Sequence, residues 1–188
     1  SKVDTPQISM RLFGVLESQG LNERADEVVR EWIKKHPGDA TVPAAVANSL
    51  LGKQDWKRAA RWYGIAIEIQ PGNADYVNNL AWTLGQLNDP SALDVAVKAQ
   101  GLAPSDAAIL ETVGALHLKS GNVKEAVALL EKAVKLAPSR MDIRLSLAKA
   151  LTAGKSFDQA KAQLDVISSA AIPAAMRTEV EKLRGQRN

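Results

Sequence analysis

Apolar residues fall at helical spacing through most of the chain, as in Leu110, Val113, Gly114, His117 and Leu118. Prolines divide this pattern: Pro37, Pro71, Pro104 and Pro138 are 34, 33 and 34 residues apart, and Pro173 follows after 35. A fixed period of that length is the mark of a repeat architecture. Twelve residues before each of the first four prolines stand Ala25, Ala59, Ala92 and Ala126, and five before stand Trp32, Ala66, Ala99 and Ala133. A second small site lies upstream at Ala47, Ala81, Gly114 and Ala148. Small side chains at fixed offsets mark close helix crossings. Each unit therefore reads as two helices closed by a proline.

The turns fit this division. Gly20-Leu21-Asn22, Lys53-Gln54-Asp55, Asn88-Asp89-Pro90, Gly121-Asn122 and Gly154-Lys155-Ser156 all fall between small sites. Asp89 is predicted to cap a helix that opens on Pro90, and Asp55, Asn122 and Ser156 to cap in the same way. The predicted units are 6–39, 40–73, 74–106, 107–140 and 141–172, closed by a capping helix at 173–186. That last helix sets Ala175, Val180 and Leu183 on one side and Arg177, Glu181 and Arg184 on the other.

The segment Ile109–Pro138, with Gly114, Gly121, Ala126, Leu130, Ala133 and Pro138, closely resembles a tetratricopeptide repeat. The unit Ala40–Gln70, with Ala47, Trp56, Ala59, Tyr63 and Ala66, is similar to it as well. The resemblance implies an all-α, right-handed superhelical stack of about five helix pairs, with first helices lining a concave groove. It also makes Trp56, Tyr63 and Phe157 core aromatics. Phe13 and Trp32 stand where small residues belong, so the first unit is expected to pack at another angle, as a cap or junction. A narrower run, Asn78-Asn79-Leu80-Ala81-Trp82 with Asp89-Pro90-Ser91-Ala92-Leu93 and Leu110-Glu111-Thr112-Val113-Gly114, resembles the C-terminal part of tetratricopeptide lipoproteins of PEP-CTERM/exosortase systems, which accompany exopolysaccharide production. That resemblance implies a periplasmic or outer-membrane-anchored protein with a missing N-terminal lipoprotein segment; otherwise the chain reads as cytoplasmic.

Side chains of the first helices not used in pairing are expected in the groove: Asn48, Leu51, Asn78, Asn79, Trp82, Gln86, Glu111, Leu118, Leu145 and Lys149. Trp82 offers a rigid apolar anchor, and an asparagine satisfies both a backbone N–H and a C=O of an extended peptide. The blander alternative is that Trp82 fills space between helices and the asparagines are solvated. Asn48 and Asn79 match two asparagines of the carboxylate clamp in chaperone-tail receptors, but the clamp's basic positions are Ala44, Ala108 and Thr112. A terminal carboxylate then lacks a charged partner. Lys53, Lys57, Arg58 and Arg61 read as a solvated basic face, and Trp62 as partly exposed.

Composition agrees with helix packing: 46% of residues are hydrophobic but 4% aromatic. The net charge of +3 comes from dispersed residues, without the dense basic stripe that nucleic acid requires. With no cysteine, thiolate chemistry is excluded. The two histidines, His36 and His117, lack ligand neighbours at one-turn spacing, so no metal is expected. Phosphate loops and nucleophile motifs are absent. Ser1-Lys2-Val3-Asp4 has no signal-peptide core, and no apolar stretch spans a bilayer. The sequence thus reads as a monomeric, non-enzymatic scaffold for protein or extended peptide, without cofactor or membrane contact of its own. An RNA-binding helical repeat and a structural spacer remain alternatives.

Overall fold

The computed structural model describes residues 5–185, which form eleven helices and no strand. They are α1 (Pro6–Ser18), α2 (Asn22–Lys35), α3 (Thr41–Gly52), α4 (Trp56–Ile69), α5 (Ala74–Gln86), α6 (Ala92–Leu102), α7 (Ala107–Lys119), α8 (Val123–Leu136), α9 (Met141–Ala153), α10 (Phe157–Ser168) and α11 (Ala174–Gly185). Residue 186 of the expected capping helix and the segment Ser1–Asp4 lie outside the described residues. The chain divides into two compact units, Ser1–Val95 and Ala96–Asn188, with the boundary inside α6. In the first, α1 packs on α2, α3 on α4, and α4 on α5; in the second, α7 packs on α8, α8 on α9, and α9 on α10 and α11. No described helix is long and apolar enough to cross a membrane.

Helix ends follow from local chemistry. A proline ring keeps the preceding residue out of the helical region. His36 (φ −131°, ψ 65°), Gln70 (φ −132°, ψ 75°) and Ala137 (φ −134°, ψ 69°) accordingly end α2, α4 and α8 in one shared conformation. Within the pairs, every turn holds one residue in the left-handed region: Gly20, Gln54, Asn88, Gly121 and Lys155. Each turn is then closed by an N–H that reaches back five residues, such as Asp55 N–H to Leu50 C=O at 3.0 Å and Ser156 N–H to Leu151 C=O at 2.8 Å. Asp55 caps α4 through the Arg58 N–H, and Asp106 caps α7 through the N–H groups of Ala108 and Ile109. Two expected caps are corrected: Asn122 and Ser156 accept no capping hydrogen bond. Asp89 instead accepts from the Ser91 N–H and hydroxyl, and α6 begins at Ala92 rather than at Pro90.

The periodic small residues are core. Ala25, Ala47, Ala59, Ala66, Ala126, Ala133 and Ala148 are wholly buried. At the α7–α8 crossing, a Cβ added to Gly114 would lie 2.7 Å from Leu130 Cγ. The crossing leaves no space for even a methyl group.

The first unit is built differently. Phe13 and Trp32 are buried in one cluster with Val46, Trp62 and Tyr63. Trp62, expected to be partly exposed, is fully buried because its Nε1–H finds an acceptor, donating to Asp26 Oδ1 at 3.2 Å. Lys53, Lys57 and Arg61 are exposed, as expected of a solvated basic face, but Arg58 is not part of it. Arg58 Nη2 lies 2.6 Å from Asp26 Oδ1 and 2.8 Å from Glu17 Oε1, Lys53 pairs with Glu17 at 3.1 Å, and Arg61 lies 3.6 Å from Asp26 Oδ2. Arg58 thereby ties α1, α2 and α4 together. Burial alone would lower its affinity for the proton, and the hydrogen bonds to Asp26 and Glu17 reverse that, so it stays charged.

Three stability outcomes follow. Ala126→Leu costs about 1–3 kcal/mol by overpacking its crossing. Gln54→Gly stabilises by about 1 kcal/mol, since glycine occupies the left-handed region without strain. Asp26→Ala costs about 1–3 kcal/mol because it leaves the Trp62 N–H without its acceptor and Arg58 without one of its carboxylate partners. Urea unfolding of each variant against the parent chain measures all three.

Candidate functional site

On α5, helical rotation from the buried Ala81 carries Asp75, Asn78, Trp82 and Gln86 to the opposite, more open side. On α3 the same rotation from Ala47 leaves Asn48 exposed. Trp82 is 38% exposed and stands edge-on to Trp56 of α4, with ring centroids 5.5 Å apart. That contact ties the indole to α4 and leaves part of it open to solvent.

Asn48 is held by a residue that sequence reasoning assigned to the core alone. Tyr63 of α4 is buried, and its hydroxyl donates to Asn48 Oδ1 on α3. Asn79 on α5 stands near enough to lower the phenol's affinity for its proton. Burial pushes the phenol up to about 12, against the opposing effect of Asn79, so the hydroxyl stays protonated near neutral pH. Asn48 is thus oriented by its carbonyl, with its amide N–H groups left as donors. Asn78 is half-buried, and its Oδ1 is buried without a hydrogen-bond partner. Leu51 is half-buried and packs against the core, while Gln86 is exposed.

In the second unit, α7 and α9 present a more charged side. Glu111 is half-buried, and its Oε1 accepts the Ser146 hydroxyl of α9 at 2.7 Å. Burial raises the Glu111 carboxyl above the ordinary glutamate range; Ser146, Arg140 and Lys149 pull it down, and Asp142 pushes it up. Lys149 Nζ lies 3.4 Å from Glu179 Oε1 on α11. Leu118 is half-buried against the α8–α9 core. Leu145 corrects the expectation: at 9% exposure it packs with Leu164, Ile167, Val180 and Leu183, because α10 and α11 close over it. Phe157 departs in the other direction, 38% exposed at the start of α10 rather than in the core.

Tyr63 as the donor to Asn48, and Ser146 as the donor to Glu111, were missed. Their contacts span 15 and 35 residues and carry no local pattern. Also unforeseen is a cavity of about 390 Å³ between α1 and α2, walled by Ile8, Leu12, Leu16, Val28 and Trp32. No group of three or more His, Cys, Asp or Glu able to hold a metal occurs among the described residues.

Antiparallel helix pairs with small crossings and an open first-helix side define a helical-repeat protein. Residues 117–174 match the family model described as tetratricopeptide repeat. That segment carries a tetratricopeptide repeat, and the chain as a whole has the fold of tetratricopeptide-repeat proteins. It is 30% identical over 105 residues to small glutamine-rich tetratricopeptide repeat-containing protein 2 of Mycosarcoma maydis, covering 55% of this chain and 30% of that protein. It is 26% identical over 153 residues to cellulose synthase operon protein C of Pseudomonas fluorescens (strain SBW25), covering 78% of this chain and 12% of that protein. Among solved structures it superposes on YrrB, described as a TPR protein with an unusual peptide-binding site. The TM-score there is 0.66 at 19% identity, over 93% of this chain and 90% of the other. The chain spans less than a third of the length of these curated relatives.

A carboxyl whose affinity for protons is raised by folding stabilises the fold when protonated and loses that contribution as pH rises through its titration. Glu111→Gln, which keeps an acceptor for Ser146 without the charge, therefore raises the melting temperature at pH 8. The gain shrinks as pH falls to 4, and thermal melts across this range measure it.

Proposed function

We propose that the chain is a non-catalytic scaffold that binds an extended segment of a partner protein on the α3–α5 face. The observation that carries this reading is the exposed Trp82, packed on Trp56, together with the exposed Asn48 that Tyr63 orients. A large aromatic held in place ahead of binding supplies contact area at low entropic cost. An asparagine pairs with the backbone of an extended peptide rather than with its sequence. A peptide-binding site named for the similar YrrB structure supports this class of ligand.

The chaperone-tail reading stays disfavoured, since Ala44, Ala108 and Thr112 supply no cation at the clamp positions. A narrower role, in an envelope assembly that serves exopolysaccharide production, is supported by the PEP-CTERM-type resemblance and by a relative named for a cellulose synthase operon. Under that reading the chain works at the periplasmic side of the envelope as part of a lipoprotein. Fractionation of native cells locates it: recovery from the cytosol alone overturns the envelope role.

Binding is tested by panning random twelve-residue peptides displayed on phage against the intact chain. Capture is expected, and Trp82→Ala is expected to weaken it about tenfold or more, as for a hot-spot aromatic. The melting temperature should move by no more than about 2–4 °C. Capture that is unchanged by Trp82→Ala, or no capture at all, overturns the proposal.

A further inference from the structure

Glu111 is a carboxylate that the fold has half-buried without neutralising. It stands three residues before Gly114 on α7, the register that Asn78 holds on α5 relative to Ala81. Its carboxylate makes a single hydrogen bond among the described residues, from the Ser146 hydroxyl at 2.7 Å. The nearby cations are already engaged. Arg140 forks onto Asp142, with Nε–Oδ distances of 2.8 and 3.1 Å, and Lys149 faces Glu179 at 3.4 Å. Three carboxylates against two cations leave this side of the second unit one negative charge in excess. A hydroxyl donor alone does not offset the loss of water around an ionised carboxylate.

We infer that Glu111, with Ser146 orienting it, is a recognition point for the basic side chain of a bound peptide, a lysine or an arginine. The contact lies wholly on α7 and α9 of the second unit and does not depend on the α3–α5 face. An incoming cation restores the balance and forms a charge-assisted hydrogen bond to the oxygen that Ser146 leaves open. A compact ammonium meets that single oxygen as a point charge, whereas a guanidinium fork needs both oxygens to gain its extra bond. The site therefore selects against acidic segments, which meet an unpaired like charge in a half-buried setting.

Phage-displayed random twelve-residue peptides panned on the wild-type chain, on Glu111→Gln and on Trp82→Ala separate the two readings. Peptides captured by the wild type are expected to be enriched in lysine or arginine at one position. Glu111→Gln is expected to abolish that enrichment, while peptides held at Trp82 are still captured. A synthetic copy of the best peptide, with its basic residue replaced by methionine, should bind the wild type about tenfold more weakly and Glu111→Gln no differently. Enrichment that is absent, or that persists in Glu111→Gln, overturns the inference. If capture in that case still depends on Trp82, the groove reading stands without it. If nothing is captured, both fall. Thermal melts of Glu111→Gln verify that the variant is folded.

Discussion

At the crossing of α7 and α8, the side chain of Leu130 occupies the space into which a methyl on Gly114 would project, at 2.7 Å. Two helices so close can interlock only if one contributes nothing beyond its backbone at the contact. Ala47, Ala81 and Ala148 hold the matching position on α3, α5 and α9, all without exposure. Once these points are fixed, the rotation of each first helix is fixed, and so is the side it leaves open. The residues one step and one turn away, such as Asn48, Trp82, Glu111 and Lys149, owe their orientation to an alanine or glycine that touches no ligand.

Where the small residue is missing, the fold depends on polar chemistry. Phe13 and Trp32 bring large rings into the first unit, and around them Glu17, Asp26 and Arg58 join three helices through charge-assisted contacts. A buried ion pair is a weak source of net stability but a strong one of specificity, because any packing that separates the partners leaves a bare charge inside. In this unit the ionic contacts, rather than a close alanine crossing, define which arrangement of α1, α2 and α4 is native. The same contacts explain the burial of Trp62, whose N–H shares the Asp26 acceptor.

Much of this was legible from the period of prolines and alanines, because close crossings and helix ends are set by single residues with local requirements. The left-handed turn positions were legible in part, since glycine marks only Gly20 and Gly121 while Gln54, Asn88 and Lys155 adopt the same conformation without it. What could not be read were partnerships across the sequence. Arg58 looked like one of four solvated cations until Asp26, 32 residues earlier, was placed beside it. Leu145 shares a register with Asn78 and Glu111, yet α10 and α11 cover it, and a helix added at one end changes the exposure of a repeated position without changing its pattern. Phe157 kept its register and lost its burial for want of a covering neighbour.

The repeat thus separates two kinds of position. Crossing sites are held constant by packing, so they identify the architecture and say nothing of a ligand. The site three residues before the crossing is Ala44, Asn78, Glu111 and Leu145 in successive units, and the site one residue after it is Asn48, Trp82, Ala115 and Lys149. Those eight residues include apolar, amide, aromatic, acidic and basic groups on one common backbone geometry. A scaffold that varied them freely without use would not orient one amide through a buried tyrosine or shelter one carboxylate under a serine. Because packing takes up only Ala44 and Leu145 wholly among these positions, the variety of the rest is where a repeat of this kind encodes selectivity.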